Sequence, residues 1–374
     1  GMEEKVPSSR HTTLHNDLSN SLSVFDIEDY DYSLPDELIA QVPLPDRDKS
    51  RLMVVDRSTG SLGDRRFLDL PDLLLPGDLL VVNNTRVVPA RLSGRKDSGG
   101  RIEILVLEHG RAKPDDPKTR WCLLRSSKRP RKGGRLFFEN DLSGVVEELG
   151  EDGLIRITFQ GPQSIDSLLE DKGMMPLPPY IRRKEKDRLS ELDRERYQSV
   201  FAERTGAVAA PTASLHFTGA LLARLDQAGI SVVPLTLHVG HGTFRPVRTR
   251  DIREHQLGYE EYDLLPDTAR AIERSKREGR RVIAVGTTVV RTLESVTWSE
   301  GNLRSGGGKT DLLITPGFSF KVVDAMITNF HLPRSSLLFL VSAFAGIELI
   351  RNAYKEAVAK AYRFFSYGDA MLIL

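Results

Sequence analysis

Residues 281–294 read RVIAVGTTVVRTLE. An unbroken run of apolar β-formers, a glycine, and two threonines heading a stretch with helical spacing make a strand, a tight turn and a helix. That unit belongs to an α/β sheet. Working outward, the alternation continues with a helix over 219–227 capped by Thr218, a strand over 232–239 and a helix over 267–278. Beyond the strand 281–285 come a helix over 288–296, a strand over 312–314 and a long amphipathic helix over 347–365. Helical spacing also runs through 191–204, after a proline-rich loop at 174–180. Upstream, 25–84 alternates short apolar runs with turn residues. Residues 87–160 stay strand-like, with five or six strands and no helix, which predicts a small antiparallel β-barrel. The expected fold class is α/β with α+β character. A discontinuous main domain, 24–86 with 161–374, is interrupted by an all-β barrel domain at 87–160 and preceded by a disordered polar tail at 1–23.

At 374 residues the chain has room for two to three domains of roughly 150 residues, or one domain with a large insertion. Lys and Arg number 53 against 52 for Asp and Glu, a net charge of +1, so any polyanion site must be a local patch. The single cysteine, Cys122, removes intramolecular disulfides and Cys-cluster zinc sites and points to a reducing, cytoplasmic compartment. The longest apolar tract, 337–350, is broken by Ser342 and Glu348 and falls short of the ~20 residues that span a bilayer. It reads as buried core, and no membrane partner is expected.

Free N–H groups at the helix start formed by Thr287 and Thr288 suit an anion, although a simple turn and cap explains the same pattern. No Lys follows the glycine as in a P-loop, and no G-x-G-x-x-G is present. His216, His238, His241, His255 and His331 stand in loop-like stretches, where acid-base work or structural hydrogen bonding are both open. His238 and His241 alone do not make a metal site, and none is expected. Lys128, Arg129, Arg131, Lys132 and Arg135 form a basic run between two barrel strands, and Arg182, Arg183, Lys184, Lys186 and Arg188 a second, diluted one. The first run suits RNA phosphates; a solvated face is the bland alternative. The stretches 210–217 (APTASLHF) and 313–333 (LITPGFSFKVVDAMITNFHLP) are dense in reactive side chains, with Lys321 and Asp324 amid apolar residues, where mutual pairing would meet their desolvation cost.

At these residues the chain resembles the S-adenosylmethionine:tRNA ribosyltransferase-isomerases of queuosine biosynthesis. The resemblance runs through LPDELIAQVPLPDRDKSR (34–51), NNTRVVPAR (83–91), PLPPYI (176–181), RYQSVF (196–201), VAAPTASLHF (208–217), LHVGHGTFRPV (237–247), VGTTVVRTLES (285–295), the stretch 315–345 and AYRFFSYGDAMLI (361–373). It implies a main α/β domain that contains a barrel, interrupted by a smaller β-barrel. It also implies transfer and isomerisation of the ribosyl part of S-adenosylmethionine onto the 7-aminomethyl-7-deazaguanine of a tRNA anticodon stem-loop. The product is epoxyqueuosine, with adenine and methionine released, no metal required, and a monomer at work. Three positions depart from the family pattern: Asn84 replaces a usual aspartate, His241 a small or apolar residue, and Gly258 a frequent histidine.

That chemistry needs a base beside the sulfonium, an acid for the leaving adenine and holders for the ribose. Matching residue types to these jobs, the base and acid are expected among His216, His238, His331 and Glu254 or His255. Asp311 and Asp324 would balance the sulfonium, and Phe217 or Phe244 would offer it a ring face. Thr287, Thr288 and Arg291 would take a carboxylate or phosphate, and Arg86, Arg245 and Arg334 substrate or RNA anions. Thr212, Ser214 and Lys321 complete the expected substrate-binding set, and Lys128, Arg129, Arg131 and Lys132 the RNA-binding one. Two rivals use the same composition: a non-catalytic RNA-binding protein built on the barrel, and a small-molecule transferase that takes no RNA.

Overall fold

The structure is a computed structural model that describes residues 24–184, 187–296 and 298–374, with backbone alone at 243, 244 and 298. The expected tail at 1–23 and the ring of Phe244 lie outside the described residues.

In chain order, β1 (Arg51–Val55) and β2 (Leu62–Arg66) form a hairpin, and α1 (Leu70–Leu73) leads to β3 (Leu79–Asn83) and β4 (Thr85–Val87). Six strands follow: β5 (Arg91–Lys96), β6 (Arg101–Val106), β7 (Thr119–Ser126), β8 (Arg135–Phe137), β9 (Ser143–Leu149) and β10 (Leu154–Gln160). Then come α2 (Ile165–Lys172), α3 (Ser190–Arg196), β11 (Arg204–Ala207), α4 (Gly219–Gln227), β12 (Ser231–Leu237), β13 (Glu260–Leu264), α5 (Pro266–Arg277), β14 (Val282–Val285) and α6 (Thr287–Ser295). A small hairpin, β15 (Trp298–Ser299) with β16 (Asn302–Leu303), precedes β17 (Gly306–Thr310), β18 (Ala325–Asn329), α7 (Ser336–Ala345), α8 (Ile347–Ala359) and β19 (Ala370–Ile373).

Nine strands make one open mixed sheet in the order β17-β13-β12-β3-β14-β18-β19-β1-β2, and β5 to β10 close into a barrel. At the sheet centre β12, β3, β14 and β18 run parallel. Their apolar runs are buried on both faces because helices cover both. Leu79 and Val81 of β3, with Val282 and Ala284 of β14, pack against α5, α6, α7 and α8; Leu80, Val82, Ile283 and Val285 pack on the other face with Leu70 of α1 and Leu221 and Leu225 of α4. The two-residue side-chain period makes that division, and each such Leu, Ile or Val is worth about 1.5–3 kcal/mol when fully buried.

Thr218 caps α4, its hydroxyl accepting from Leu221 N at 3.1 Å. Three expected elements differ. The helix expected over 191–204 ends at Arg196, because Arg204–Ala207 pairs in parallel with β4, more than a hundred residues away in sequence. No strand forms at 312–314; the glycine-rich β17 just before it is the strand, paired with β13, and Ile314 is buried without a ladder partner. The long helix expected over 347–365 stops at Ala359, since Ala361 takes a φ of +54° and Phe364 returns to bridge Ile39. The apolar tract 337–350 is core, divided between α7 and α8, which meet at 115° about Gly346. No single helix among the described residues is long and apolar enough to cross a membrane.

A buried cation anchors the barrel. Arg120 is fully buried, donating from Nε to the Pro117 carbonyl at 2.8 Å and bidentately to Asp166 at 3.0 and 2.7 Å, in the first turn of α2. Asp166→Ala is expected to cost about 1–2 kcal/mol, since the guanidinium is buried but Asp166 is 41% exposed and water screens the pair, read as an earlier urea midpoint. Removing Arg120 as well, as Arg120→Met/Asp166→Ala, should recover part of that loss; a single variant as stable as the parent would sink the assignment.

Candidate active site

The parallel strands deliver several loops to one edge of the sheet, the position outside the strand carboxyl ends where open α/β sheets take ligands. After β14, Gly286 turns with φ +97°, a conformation strained for any other residue, and donates its N–H to Ile327 O at 2.7 Å. α6 therefore starts at the sheet edge, and no side chain caps its first turn. Its first N–H groups and partial positive charge suit an anion. Thr287 and Thr288 line a cavity of about 50 Å3 together with Pro211, Thr212, Asn329 and His331. Tyr180, Thr328 and Ser366 also face it.

Asn329 is the hub beneath this cavity. Its Nδ2 donates to the carbonyls of Phe365 at 2.8 Å and Ser366 at 3.3 Å, which turns Oδ1 toward His216 Nε2 at 2.8 Å. Nε2 of His216 then carries the proton, and Nδ1 meets the Ser50 hydroxyl at 2.9 Å. The His216 ring stacks on Phe67 at 4.8 Å. Burial pulls its pKa down to about 4, the Asn329 bond opposing that shift only in part. His331, on the cavity wall, contacts the Thr328 hydroxyl through Nε2 at 2.7 Å. Its backbone N–H donates to Tyr354 Oη at 2.8 Å, and its carbonyl accepts from Tyr32. Burial alone lowers its pKa to about 3, so the ring is neutral at pH 7.

Behind α6 lies a buried ion pair. Arg291 Nη1 stands 2.7 Å from Glu260 Oε1, and Glu260 Oε2 accepts from Gly240 N at 2.8 Å. Asn83, at the carboxyl end of β3, donates to the Leu237 carbonyl at 2.9 Å and to Thr288 Oγ1 at 3.3 Å, joining β12 to the helix start. His238 bonds Thr85 Oγ1 through Nδ1 at 2.8 Å, and burial, followed by the Arg204 charge, lowers its pKa. A Cβ at Gly206 would lie 2.6 Å from that ring, so only glycine fits there.

Of the expected residues, Thr212, Thr287, Thr288 and His331 meet at the cavity, with His216 one hydrogen bond below it and Arg291 one helical turn behind. Ser214 is buried nearby with an unpartnered hydroxyl. The others stand elsewhere. Asp324 and Lys321 do not pair with each other: Asp324 takes Lys276 Nζ at 3.0 Å and Val282 N at 2.8 Å, at the amino end of β18. Five residues of strand, about 16 Å, separate it from Asn329. Lys321 is exposed, its backbone N–H donating to Glu294. Phe217 lies wholly inside the core against Phe67 and Phe201, and its ring has no face for a ligand. Arg86 pairs bidentately with Glu170 at 3.0 Å, and the exposed Arg334 is bound by Glu28. Glu254 and His255 follow a turn joined to the N-terminal segment through the Asp26–Asp251 bridge; Glu254 is exposed, while burial lowers the His255 pKa. Arg245 and Asp311 are exposed. Lys128, Arg129, Arg131 and Lys132 form an exposed loop between β7 and β8. The departure Asn84 is buried, its Oδ1 accepting from Thr236 Oγ1 at 2.6 Å. Asn329 stood in the sequence as one of the polar residues of 313–333 but with capping as its explanation and no place in the site, and Thr328, Tyr180 and Ser366 were missed; the signal was the polar pair Thr328 and Asn329 closing a buried strand just before His331. Among the described residues no group of His, Cys, Asp or Glu side chains is placed to hold a metal.

Comparison with known proteins gives this geometry a context. A family model described as a queuosine biosynthesis protein matches residues 27–373. The chain is 51% identical over 347 residues to an S-adenosylmethionine:tRNA ribosyltransferase-isomerase of Geobacter sulfurreducens, covering 93% of this chain and 99% of that one. It is 52% identical over 350 residues to the protein of the same name from Syntrophotalea carbinolica, with 93% and 99% covered. Among solved structures, the S-adenosylmethionine tRNA ribosyltransferase of Thermotoga maritima is similar, at 40% identity and a TM-score of 0.52, covering 92% of this chain and all of that one.

Proposed function

The chain belongs to the queuosine biosynthesis protein family, and from that premise we propose that it transfers and isomerises the ribosyl part of S-adenosylmethionine onto 7-aminomethyl-7-deazaguanine at the wobble position of a tRNA, giving epoxyqueuosine and releasing adenine and methionine. One observation carries the reading: the uncapped start of α6, Thr212, Asn329 and His331 converge on a single cavity at the carboxyl ends of the parallel strands. The helix start suits the methionine carboxylate rather than the sulfonium, because its partial charge is positive. His331 is assigned as the proton acceptor beside the sulfonium, which requires that the parting of the walls on binding relieve the burial that holds its basicity down, and the His216–Asn329 bond holds the floor of the site in register. At about 50 Å3 the cavity is far below the roughly 300 Å3 that a nucleoside-sized ligand occupies. Binding therefore parts the walls around 210–213 and 330–332. In this reading the discontinuous unit of 24–86 and 161–374 does the chemistry, the barrel at 87–160 holds the anticodon stem-loop, and the enzyme works as a monomer in the cytoplasm.

The test incubates the protein with S-adenosylmethionine and an anticodon stem-loop carrying the aminomethyl-deazaguanine. Free adenine with a matching mass gain on the RNA supports the reading. RNA binding with no adenine favours the non-catalytic alternative, and reaction with the free base but not the RNA favours a small-molecule transferase. His331→Gln is expected to lower kcat by about 10²–10⁴-fold, the usual range for a general base, with RNA affinity unchanged. A variant that keeps parental kcat removes His331 from the chemistry.

A further inference from the structure

We propose that the polynucleotide lies in the cleft between the outer face of the barrel and residues 174–184 and 187–193, its phosphates held by Arg95 and Arg125 and one base stacked on Phe137. The proposal rests on the tRNA reading above and says which surface receives the chain. The cleft measures about 620 Å3. In antiparallel register Arg95 stands opposite Arg101 on β6 and opposite Phe137 on β8, so the three form a row across one face. In the next row Arg125 stands opposite Glu103, but that carboxylate is already 3.3 Å from Arg91 Nε. The Arg125 guanidinium has no hydrogen bond or ion pair among the described residues. The cleft is lined by six basic and four acidic side chains, and two of the acids, Glu103 and Asp193, are taken by Arg91 and Arg183. Of the others, Arg95, Arg125 and Lys184 outnumber Glu139 and Asp187, which leaves a positive balance.

Phe137 decides the class of partner. It is one of the few large apolar side chains left in water, 42% exposed, and it stands beside Arg95 with the Arg135 guanidinium 5.9 Å from its ring. An exposed ring among guanidiniums fits stacked bases on a phosphate backbone; an anion without a ring of its own has no use for it. Arg95 gives a single hydrogen bond, from Nη1 to the Gly99 carbonyl at 3.1 Å, whereas Arg129 of the 128–132 loop is held more firmly. The Arg129 guanidinium donates to the Leu154 carbonyl at 2.9 Å and to that of Gly150, so it is bound to the barrel itself.

The experiment titrates the anticodon stem-loop RNA across a salt series with the unsubstituted chain, Arg95→Gln/Arg125→Gln, Arg95→Lys/Arg125→Lys and Phe137→Leu. The Gln pair should flatten the plot of log affinity against log salt by roughly 1.5, for two lost phosphate contacts, and weaken binding roughly tenfold or more near 0.1 M salt. The Lys pair should keep the slope. Phe137→Leu should weaken binding at an unchanged slope, since stacking releases no counterions. Melting temperatures should hold or rise in the Gln pair, which removes like charges from one face. A slope that does not move in the Gln pair while the unsubstituted chain binds overturns the cleft alone, as does a fall in melting temperature that accounts for the weaker binding. Absence of RNA binding by the unsubstituted chain overturns the functional reading and the cleft with it.

Discussion

Acidifying the protein from pH 7 to 5.5 is expected to remove about 4 kcal/mol of folding stability, the sum of three buried histidines at about 1.4 kcal/mol per pH unit each. His109 and His216 titrate at about 4 and His331 at about 3 in the fold, each lowered chiefly by burial. His109 holds the Val106 carbonyl through Nε2 at 2.7 Å, where the barrel meets the rest of the chain. In the unfolded chain all three return to about 6.5. Above that pH both states are neutral and the contribution is fully present. Below it the unfolded chain takes up protons that the fold refuses, so stability falls with falling pH until the folded groups themselves titrate. Since whole domains are held by about 5–15 kcal/mol, unfolding is expected between about pH 5 and 4. Urea titrations at pH 7 and 5.5 check this, and His331→Gln should remove about a third of the difference. A change below about 1 kcal/mol over that range would show that the unfolded chain gains less than one proton over the fold, and would overturn the assignment of three buried neutral histidines.

Glu260→Ala is expected to cost about 3–5 kcal/mol, because it strands the Arg291 guanidinium in the interior. Both side chains are under a tenth exposed, and the carboxylate also receives the Gly240 amide at the head of the 241–244 turn. Glu260→Gln keeps an acceptor for that amide but loses the charge, and should fall between the parent and the alanine variant. Replacing both partners by apolar residues, Glu260→Leu/Arg291→Met, should recover much of the loss, since neither charge is then left unpaired. Arg291 lies one turn behind Thr287 and Thr288, so Glu260→Ala should also reduce adenine release at temperatures where the variant is still folded. An alanine variant within about 1 kcal/mol of the parent would mean that water reaches the pair and screens it.

What was legible in the sequence was what neighbouring residues decide. Residues 281–294 are strand, turn and helix because β-formers, one glycine and a helix opening stand within fourteen positions. The strand-rich stretch 87–160 contains the closed barrel for the same reason, since two-residue alternation and turn residues are local signals. Recognition of the reactive loops at 210–217 and 313–333 belongs to this level as well. The identity of partners does not. Lys321 and Asp324 are close in sequence, yet Asp324 pairs with Lys276; helical spacing runs through 191–204, yet Arg204 opens a strand that pairs with β4; Asn329 lies 113 residues from the His216 it orients. Hydrogen bonds and ion pairs form between groups that packing brings within about 3 Å, and many donors along the chain are equally eligible until the sheet and its two helical layers select one. For the same reason Phe217 and His216, adjacent and both aromatic, have different fates: the first fills the core, and the second holds the floor of the cavity.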